Sequence, residues 1–235
     1  MRRALLIAMT LALLPACTDD SPPDAVPDRE RAPIVYVAVG ASETVGHGLA
    51  KPDEQAWPRL FLRTLPDDTR FTSVGVSGAT VATALQQQVG GAVEAQPTLV
   101  TVWLNVNDIA AFVPVETYEQ QLRDLVHRLR GDGRATVLVA NTPALDRLPA
   151  LSRFRLPASI VNSTVDRYNL AITRVVEAEG AVLVDLHAAS LRARADGKEA
   201  SYIGPDGFHP SGAGHEAAAA EFAAAYRATA AVVSR

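Results

Sequence analysis

Ile34-Val35-Tyr36-Val37-Ala38-Val39-Gly40-Ala41-Ser42 is a continuous apolar, β-branched run that stops at a glycine and delivers a serine. A run without polar alternation suits a parallel strand covered on both faces. Four more such runs follow, over residues 71–76, 98–104, 136–140 and 181–186, the first of them the least pronounced. Between them, apolar residues recur at helical spacing. Residues 55–65 form one such stretch, with Pro58 in its first turn, and residues 80–89 another. Over 115–130, Tyr118, Leu122, Leu125, Val126 and Leu129 make a single stripe with charges elsewhere. Residues 162–179 repeat the pattern and Gly180 ends it as a C-terminal cap; an alanine-rich stretch over 211–233 closes the chain.

Strands alternating with helices predict right-handed crossovers and a parallel sheet. The expected fold is a three-layer α/β/α sandwich around a five-stranded, flavodoxin-like parallel sheet. Ligands of such sheets bind beyond the C-terminal ends of the strands. Ser42, Gly78 and Asn107 each fall just past the end of a predicted strand, so all three are expected at that one edge.

The chain has 235 residues, enough for one α/β domain with a full core. A net charge of −4 argues against a nucleic-acid partner. A single cysteine excludes an intrachain disulfide. That cysteine follows a basic start, Met1-Arg2-Arg3, and an apolar stretch too short to span a bilayer as a helix. This reads as a secretory signal over residues 1–16. Leu14-Pro15-Ala16-Cys17 also resembles a bacterial lipobox. The resemblance implies cleavage before Cys17, lipidation of its sulfur and an extracytoplasmic, membrane-anchored protein; an ordinary secretory signal with an incidental Cys17 is the alternative. Residues 17–33, rich in Asp, Pro and Arg, have little to bury and read as a disordered tether ahead of a domain over 34–235.

Several residues near the predicted sheet edge carry chemistry. A serine hydroxyl such as that of Ser42 needs a base to become a nucleophile, although Ser42 also suits a helix cap. His209 is the candidate base. Asp206, three residues earlier, is placed to accept its Nδ1–H and leave Nε2 facing the serine. A plain Pro-Asp-Gly turn beside a surface histidine is the competing reading. The Gly78 N–H, the Asn107 side chain and the Ser42 N–H are candidate oxyanion donors. Gly78 also suits a turn, and Asn107-Asp108 suits a helix cap.

Taken together, Gly40-Ala41-Ser42, Gly78, Asn107-Asp108 and Asp206-Gly207-Phe208-His209 resemble the sequence blocks of the SGNH hydrolases, the GDSL lipase/esterase family. The resemblance runs from about residue 34 to the C-terminal helix. It implies Ser42 as nucleophile, Asp206 and His209 as the acid and base of a triad, and Gly78 and Asn107 as oxyanion donors. Two departures stand out. Ala41 replaces the family's aspartate, which leaves the hydrogen bonding around Ser42 open. Asn105 replaces a glycine beside the pocket, either narrowing the acyl site or adding a polar contact.

Rival residues exist. Ser77, in Gly-Val-Ser-Gly-Ala, nearly mimics another hydrolase elbow but lacks its last glycine. Asp185 is an alternative orienting acid, and His187 a lesser rival base. His127 reads as a surface residue, His47 as a loop residue near the site mouth and His215 as part of the last helix. Scattered His and Asp residues offer no metal site, and no phosphate-binding glycine motif implies a cofactor. Residues 143–160 form either one wall of a pocket or a short helix packed on the core. The expected activity is carboxylic ester hydrolysis by a monomer through an acyl-enzyme. An acyltransferase using the same serine and a catalytically inactive binding lipoprotein are the alternatives. Acetylated polysaccharides, short-chain esters and lysophospholipids all fit a shallow site built on loops.

Overall fold

The computed structural model describes residues 32–233. The expected leader, Cys17 and nearly all of the tether lie outside the described residues. Pro33–Arg235 forms one compact unit. Its elements are β1 (Val35–Gly40), α1 (Ser42–Val45), α2 (Pro52–Gln55), α3 (Trp57–Leu62), β2 (Arg70–Ser73), α4 (Val81–Gln87), α5 (Val89–Glu94) and β3 (Leu99–Trp103). They continue with α6 (Val106–Ala110), α7 (Val115–Arg130), β4 (Thr136–Ala140), α8 (Pro149–Ser152), α9 (Ala158–Glu179), β5 (Val182–Val184) and α10 (Leu186–Ala195). A 3₁₀ turn (Glu199–Tyr202) and α11 (Gly212–Val233) complete the chain.

All five strands pair in parallel, in the order β2-β1-β3-β4-β5. The expected three-layer α/β/α sandwich is the observed fold. Alternation along the strands splits the apolar residues between two cores. Val37, Val39, Val100, Val102, Val137 and Val139 face one way, against α4, α7 and α9. Tyr36, Ala38, Leu99 and Leu138 face the other, with Trp57 and Phe61 of α3 and Phe222 of α11. Trp57 stacks on Phe222 with centroids 4.2 Å apart. Tyr36 and Thr101, both buried, hydrogen-bond through their hydroxyls at 3.0 Å, so neither polar group is left without a partner.

Boundaries shift where local chemistry decides them. The stretch expected as one helix over 55–65 divides at Ala56, whose ψ of 142° is extended; Pro58 demands such a break, lacking an N–H to continue the preceding turn. The Asp185 side chain accepts from Ala188 N–H and starts α10, so the fifth strand ends earlier than the apolar run. The chain crosses from β1 out to β2 and returns to β3 on β1's other side. Crevices open at such switch points, and the segments after β1 and β3 carry Ser42 and Asn107. Among the described residues, no helix is long and apolar enough to cross a membrane.

Candidate active site

Ser42 opens α1 at the C-terminal end of β1. Gly40 makes this turn possible: a Cβ there would lie 1.9 Å from Thr44 Oγ1, so any side chain would push the turn off the sheet. Gln88, fully buried, clamps the same glycine, accepting from its N–H and donating to its C=O, both at 3.0 Å. This pairing satisfies two backbone groups that burial would otherwise penalise.

His209 reaches Ser42 from the loop before α11. Gly204 N–H donates to the His209 carbonyl at 2.7 Å, and Ile203 pairs with Pro210, which fixes the loop around the imidazole. Asp206 Oδ1 accepts from the Phe208 and His209 N–H groups at 2.9 and 3.0 Å. Asp206 Oδ2 lies 2.5 Å from His209 Nδ1, and His209 Nε2 lies 3.0 Å from Ser42 Oγ. An ionised carboxylate only accepts, which assigns the ring proton to Nδ1. Nε2 is then the acceptor, and the Ser42 hydroxyl donates. Burial opposes ionisation of Asp206, but hydrogen bonds from the His209 ring and the two N–H groups outweigh it, holding the carboxyl below its ordinary range.

Asn107, in α6, donates from Nδ2 to the Ala79 carbonyl at 3.0 Å. That bond ties it to the residue beside Gly78, and the amide keeps a second N–H. Gly78 holds φ +78°, and its Cβ direction meets nothing within 4 Å, so its backbone is open to approach. Asn107 lines the main cavity; Gly78 stands outside the set of lining residues. Asp108 caps a helix other than its own: both carboxylate oxygens accept from Val81 N–H, the first of α4, at 3.2 Å. Burial pushes its pKa up to about 6 against that hydrogen bond. The pair therefore divides its work, Asp108 joining α6 to α4 and Asn107 facing the cavity.

The departure at Ala41 has a local answer. Glu43 Oε1 accepts the Ala41 N–H at 3.1 Å, so a carboxyl two residues later takes up that donor. Glu43 lines the cavity with Ser42 and His209. Burial pushes its pKa up to about 7, opposed by backbone hydrogen bonds and by the charge of His209. Sequence reasoning missed both Glu43 and Gln88. An acid just after Ser42, beside a missing one just before it, was the available signal for Glu43. No local signal marks Gln88, which is 48 residues from its partner. Asn105, 2 % exposed, lines the cavity and directs Nδ2 to the Ala140 carbonyl at 3.4 Å.

The rivals stand elsewhere. Asp185 accepts from Asn141 Nδ2 at 2.8 Å and from Ala188 N–H at 2.9 Å, leaving Asp206 as the acid on His209. His187 Nδ1 lies 3.2 Å from the Thr142 carbonyl. Ser77 is exposed in a turn, and His127 is exposed and paired with Glu179 at 3.1 Å. His215, buried in α11, accepts the Trp57 N–H on Nδ1 at 3.2 Å. Burial and then the charge of His209 pull its pKa down to about 4, so it stays neutral. The ring of His47 tilts against that of His209, centroids 4.4 Å apart. His47, Asp206 and His209 present atoms within 4.8 Å of one another. A cation there would compete for the atoms that already join Asp206 to His209.

The site is not built on loops alone. A cavity of about 390 Å³ runs from Ser42 between α10 and α11. Leu145 and Leu148 wall it on one side, Leu186, Ala189 and Ala193 on another, and Ala218 of α11 on a third. The segment over 143–160 thus contributes both cavity wall and the short α8. Its Ala150 N–H donates to the Gly207 carbonyl at 3.1 Å, joining it to the loop of His209.

A strand-end serine in contact with a histidine that in turn contacts an aspartate, with the Asn107 amide lining the same cavity, is an arrangement suited to ester hydrolysis. The chain belongs to the GDSL-like lipase/acylhydrolase family, whose model matches residues 38–217. It is therefore a carboxylic ester hydrolase of the SGNH/GDSL type. No curated protein matches the chain. Among solved structures it is similar to an alpha/beta hydrolase enzyme from the metagenome of Lake Arreo, Spain, at 24% identity and TM-score 0.66, covering 82% of this chain and 94% of that one. The lipase/acylhydrolase from Enterococcus faecalis gives 19% and 0.65, covering 81% and 94%. Phospholipase A1 from Streptomyces albidoflavus gives 20% and 0.65, covering 84% and 99%.

Proposed function

We propose that the protein cleaves carboxylic esters of hydrocarbon acyl chains through an acyl-enzyme on Ser42. Ser42 Oγ attacks the ester carbonyl while its proton passes to His209 Nε2. Asp206 steadies the imidazolium. The oxyanion is held by the N–H groups of Gly78 and Ser42 and the second N–H of Asn107. Collapse expels the alcohol, which takes the proton from His209. Water then attacks the acyl group by the same route and releases the acid. The observation that carries this reading is the unbroken contact chain from Asp206 through His209 to Ser42. It favours hydrolysis over a binding protein that has lost catalysis.

The cavity supports the choice of acyl group. Its exposed lining is mainly apolar, with Arg192, Asp196, Glu199 and Glu221 also bordering it, and an acetyl group would leave most of its roughly 390 Å³ unfilled. Each methylene buried there contributes about 0.8 kcal/mol. On p-nitrophenyl esters, kcat/KM is expected to rise about 10- to 100-fold from acetate to octanoate, which corresponds to full burial of about two to three of the added methylenes. Ala189→Phe, which fills the cavity, is expected to abolish the rise while sparing acetate. A flat chain-length profile in the parent would contradict a hydrocarbon substrate. Added glycerol or oligosaccharide in the same assay reports acyl transfer in place of hydrolysis.

Glu43 adds a pH dependence of its own. Above about pH 7 its carboxylate is ionised and attracts the imidazolium formed as His209 takes the serine proton; below that it is neutral. Glu43→Gln is expected to lower kcat/KM about three- to tenfold near pH 8.5 and less than about twofold near pH 6. A parent-to-variant ratio constant across that range would remove this role. Anchoring through a lipid on Cys17 is a further part of the proposal. It rests on the apolar leader and the Leu14-Pro15-Ala16-Cys17 sequence alone.

A further inference from the structure

Four large apolar side chains stand out at the rim that carries the catalytic edge. Phe112 is 90 % exposed, Phe154 58 %, Ile160 54 % and Leu156 51 %. Each follows a strand end on the Ser42 side of the sheet: Phe112 comes just after α6, and the other three lie between β4 and the first turn of α9. Phe112 and Thr164 of α9 line one shallow depression together with Arg167, and Thr164 donates to the Ile160 carbonyl at 2.9 Å. Phe112 and Ile160 are thus linked through Thr164, and Phe154 and Leu156 lie on the segment that runs from Leu145 and Leu148 of the cavity wall to Ile160.

Two backbone positions in these segments are costly for the fold. Phe112 and Arg155 hold φ of +53° and +50°, a region that side-chain-bearing residues seldom adopt. Exposing a phenylalanine on such a backbone gains the domain nothing by itself. The charge along the segment over 147–160 is also one-sided. Residues 147–160 contain Arg147, Arg153 and Arg155 and no acid, in a chain whose net charge is −4. Arg147 pairs with Glu199 and Arg167 with Glu116, whereas Arg153 and Arg155 make no ion pair among the described residues. Arg153 instead lies over the Phe154 ring, 5.0 Å from its centroid. Asp146, just outside the stretch, is engaged by Arg194 at 2.8 Å.

We propose that this rim docks on an anionic phospholipid surface, with Phe112, Phe154, Leu156 and Ile160 entering the headgroup boundary and Arg153 and Arg155 meeting lipid phosphates. Apolar tips interleaved with arginines are what an anionic bilayer surface binds. A protein partner of ordinary stability would need a broader, flatter apolar core than four scattered tips.

The test uses the chain from Thr18 onward. It lacks Cys17 and so any lipid on it, and it retains every described residue and both cores. Cosedimentation with phosphatidylcholine vesicles containing about 30 % phosphatidylglycerol is compared with phosphatidylcholine alone. The bound fraction is expected to be at least about fivefold higher on the anionic vesicles and to fall in about 0.5 M NaCl. Phe112→Ser/Phe154→Ser/Leu156→Ser, and separately Arg153→Gln/Arg155→Gln, are expected to lower binding about tenfold, with the circular dichroism and the hydrolysis of soluble p-nitrophenyl esters unchanged. Vesicle binding equal in parent and variants, or no binding by the parent, would overturn the proposal. So would a self-associated species in solution that the same apolar substitutions dissolve, because the occupant would then be a second copy of the chain.

Discussion

Ser42→Ala is expected to lower kcat/KM on a p-nitrophenyl ester by about 10⁵-fold, leaving only the rate that the cavity and oxyanion donors supply without a nucleophile. The size of the loss follows from the arrangement around the serine. Its hydroxyl is the one that His209 Nε2 reaches, at 3.0 Å, and the rival Ser77 is exposed in a turn. The fold should not register the change. Ser42 sits at the start of α1, and the turn is held by Gln88 on Gly40 and by Glu43 on Ala41, neither through the serine hydroxyl. Thermal midpoints of parent and variant are therefore expected to agree within about 3 °C. A variant that keeps more than about a tenth of parental kcat/KM would remove Ser42 as the nucleophile.

Asp206→Asn is expected to cost about 10⁴-fold in kcat. The reason is a tautomer, not a lost charge alone. The asparagine oxygen can keep accepting the Phe208 and His209 N–H groups, as Asp206 Oδ1 does. The amide nitrogen then faces His209 Nδ1, where it donates and drives the ring proton to Nε2. An Nε2–H cannot accept the serine proton. Because the loop hydrogen bonds survive, the loss should fall on kcat with KM changed less than about threefold. Loss of less than about tenfold would indicate that another group orients His209; Asp185 is bonded to Asn141 and Ala188, and the His209 ring to Asp206 and Ser42.

The fold was largely legible because buried parallel strands announce themselves. Each of the five apolar runs overlaps an observed strand, although β2 starts one residue before its run and is mostly exposed at the sheet edge, and the stripe over 115–130 became α7 with the same bounds. Helix α10 was not foreseen. Its Leu186-His187-Ala188-Ala189-Ser190-Leu191 stretch has only a weak apolar face, with Leu191 left 43 % exposed, so periodicity gave little to follow. The start of α9 fell at Ala158 in place of residue 162 because Pro157 fixes the turn before it.

The candidate site was legible as a set of residue types and not as a shape. Asp206 and His209 are three residues apart, so their contact is local, whereas the 3.0 Å approach to Ser42 spans 167 residues and depends on the whole sheet. The depth of the cavity had no sequence signature. It arises where small residues on α10 and α11, Ala189, Ala193 and Ala218, face one another across a gap that exists only once the helices pack. Glu43 was hidden by a different cause: its position carries no motif, and its role follows from the Ala41 N–H that its side chain accepts once the turn is formed.

The most direct measurement is intact-protein and peptide mass spectrometry after brief exposure to an alkyl fluorophosphonate. A serine whose proton is drawn off by His209 attacks phosphorus, expels fluoride and takes up one phosphonyl group; ordinary serines do not. One adduct per chain on the peptide bearing Ser42, absent in Ser42→Ala and in His209→Ala, is the predicted result. An unlabelled chain, or label on any other residue, would contradict the claim that these distant segments meet as one reactive centre.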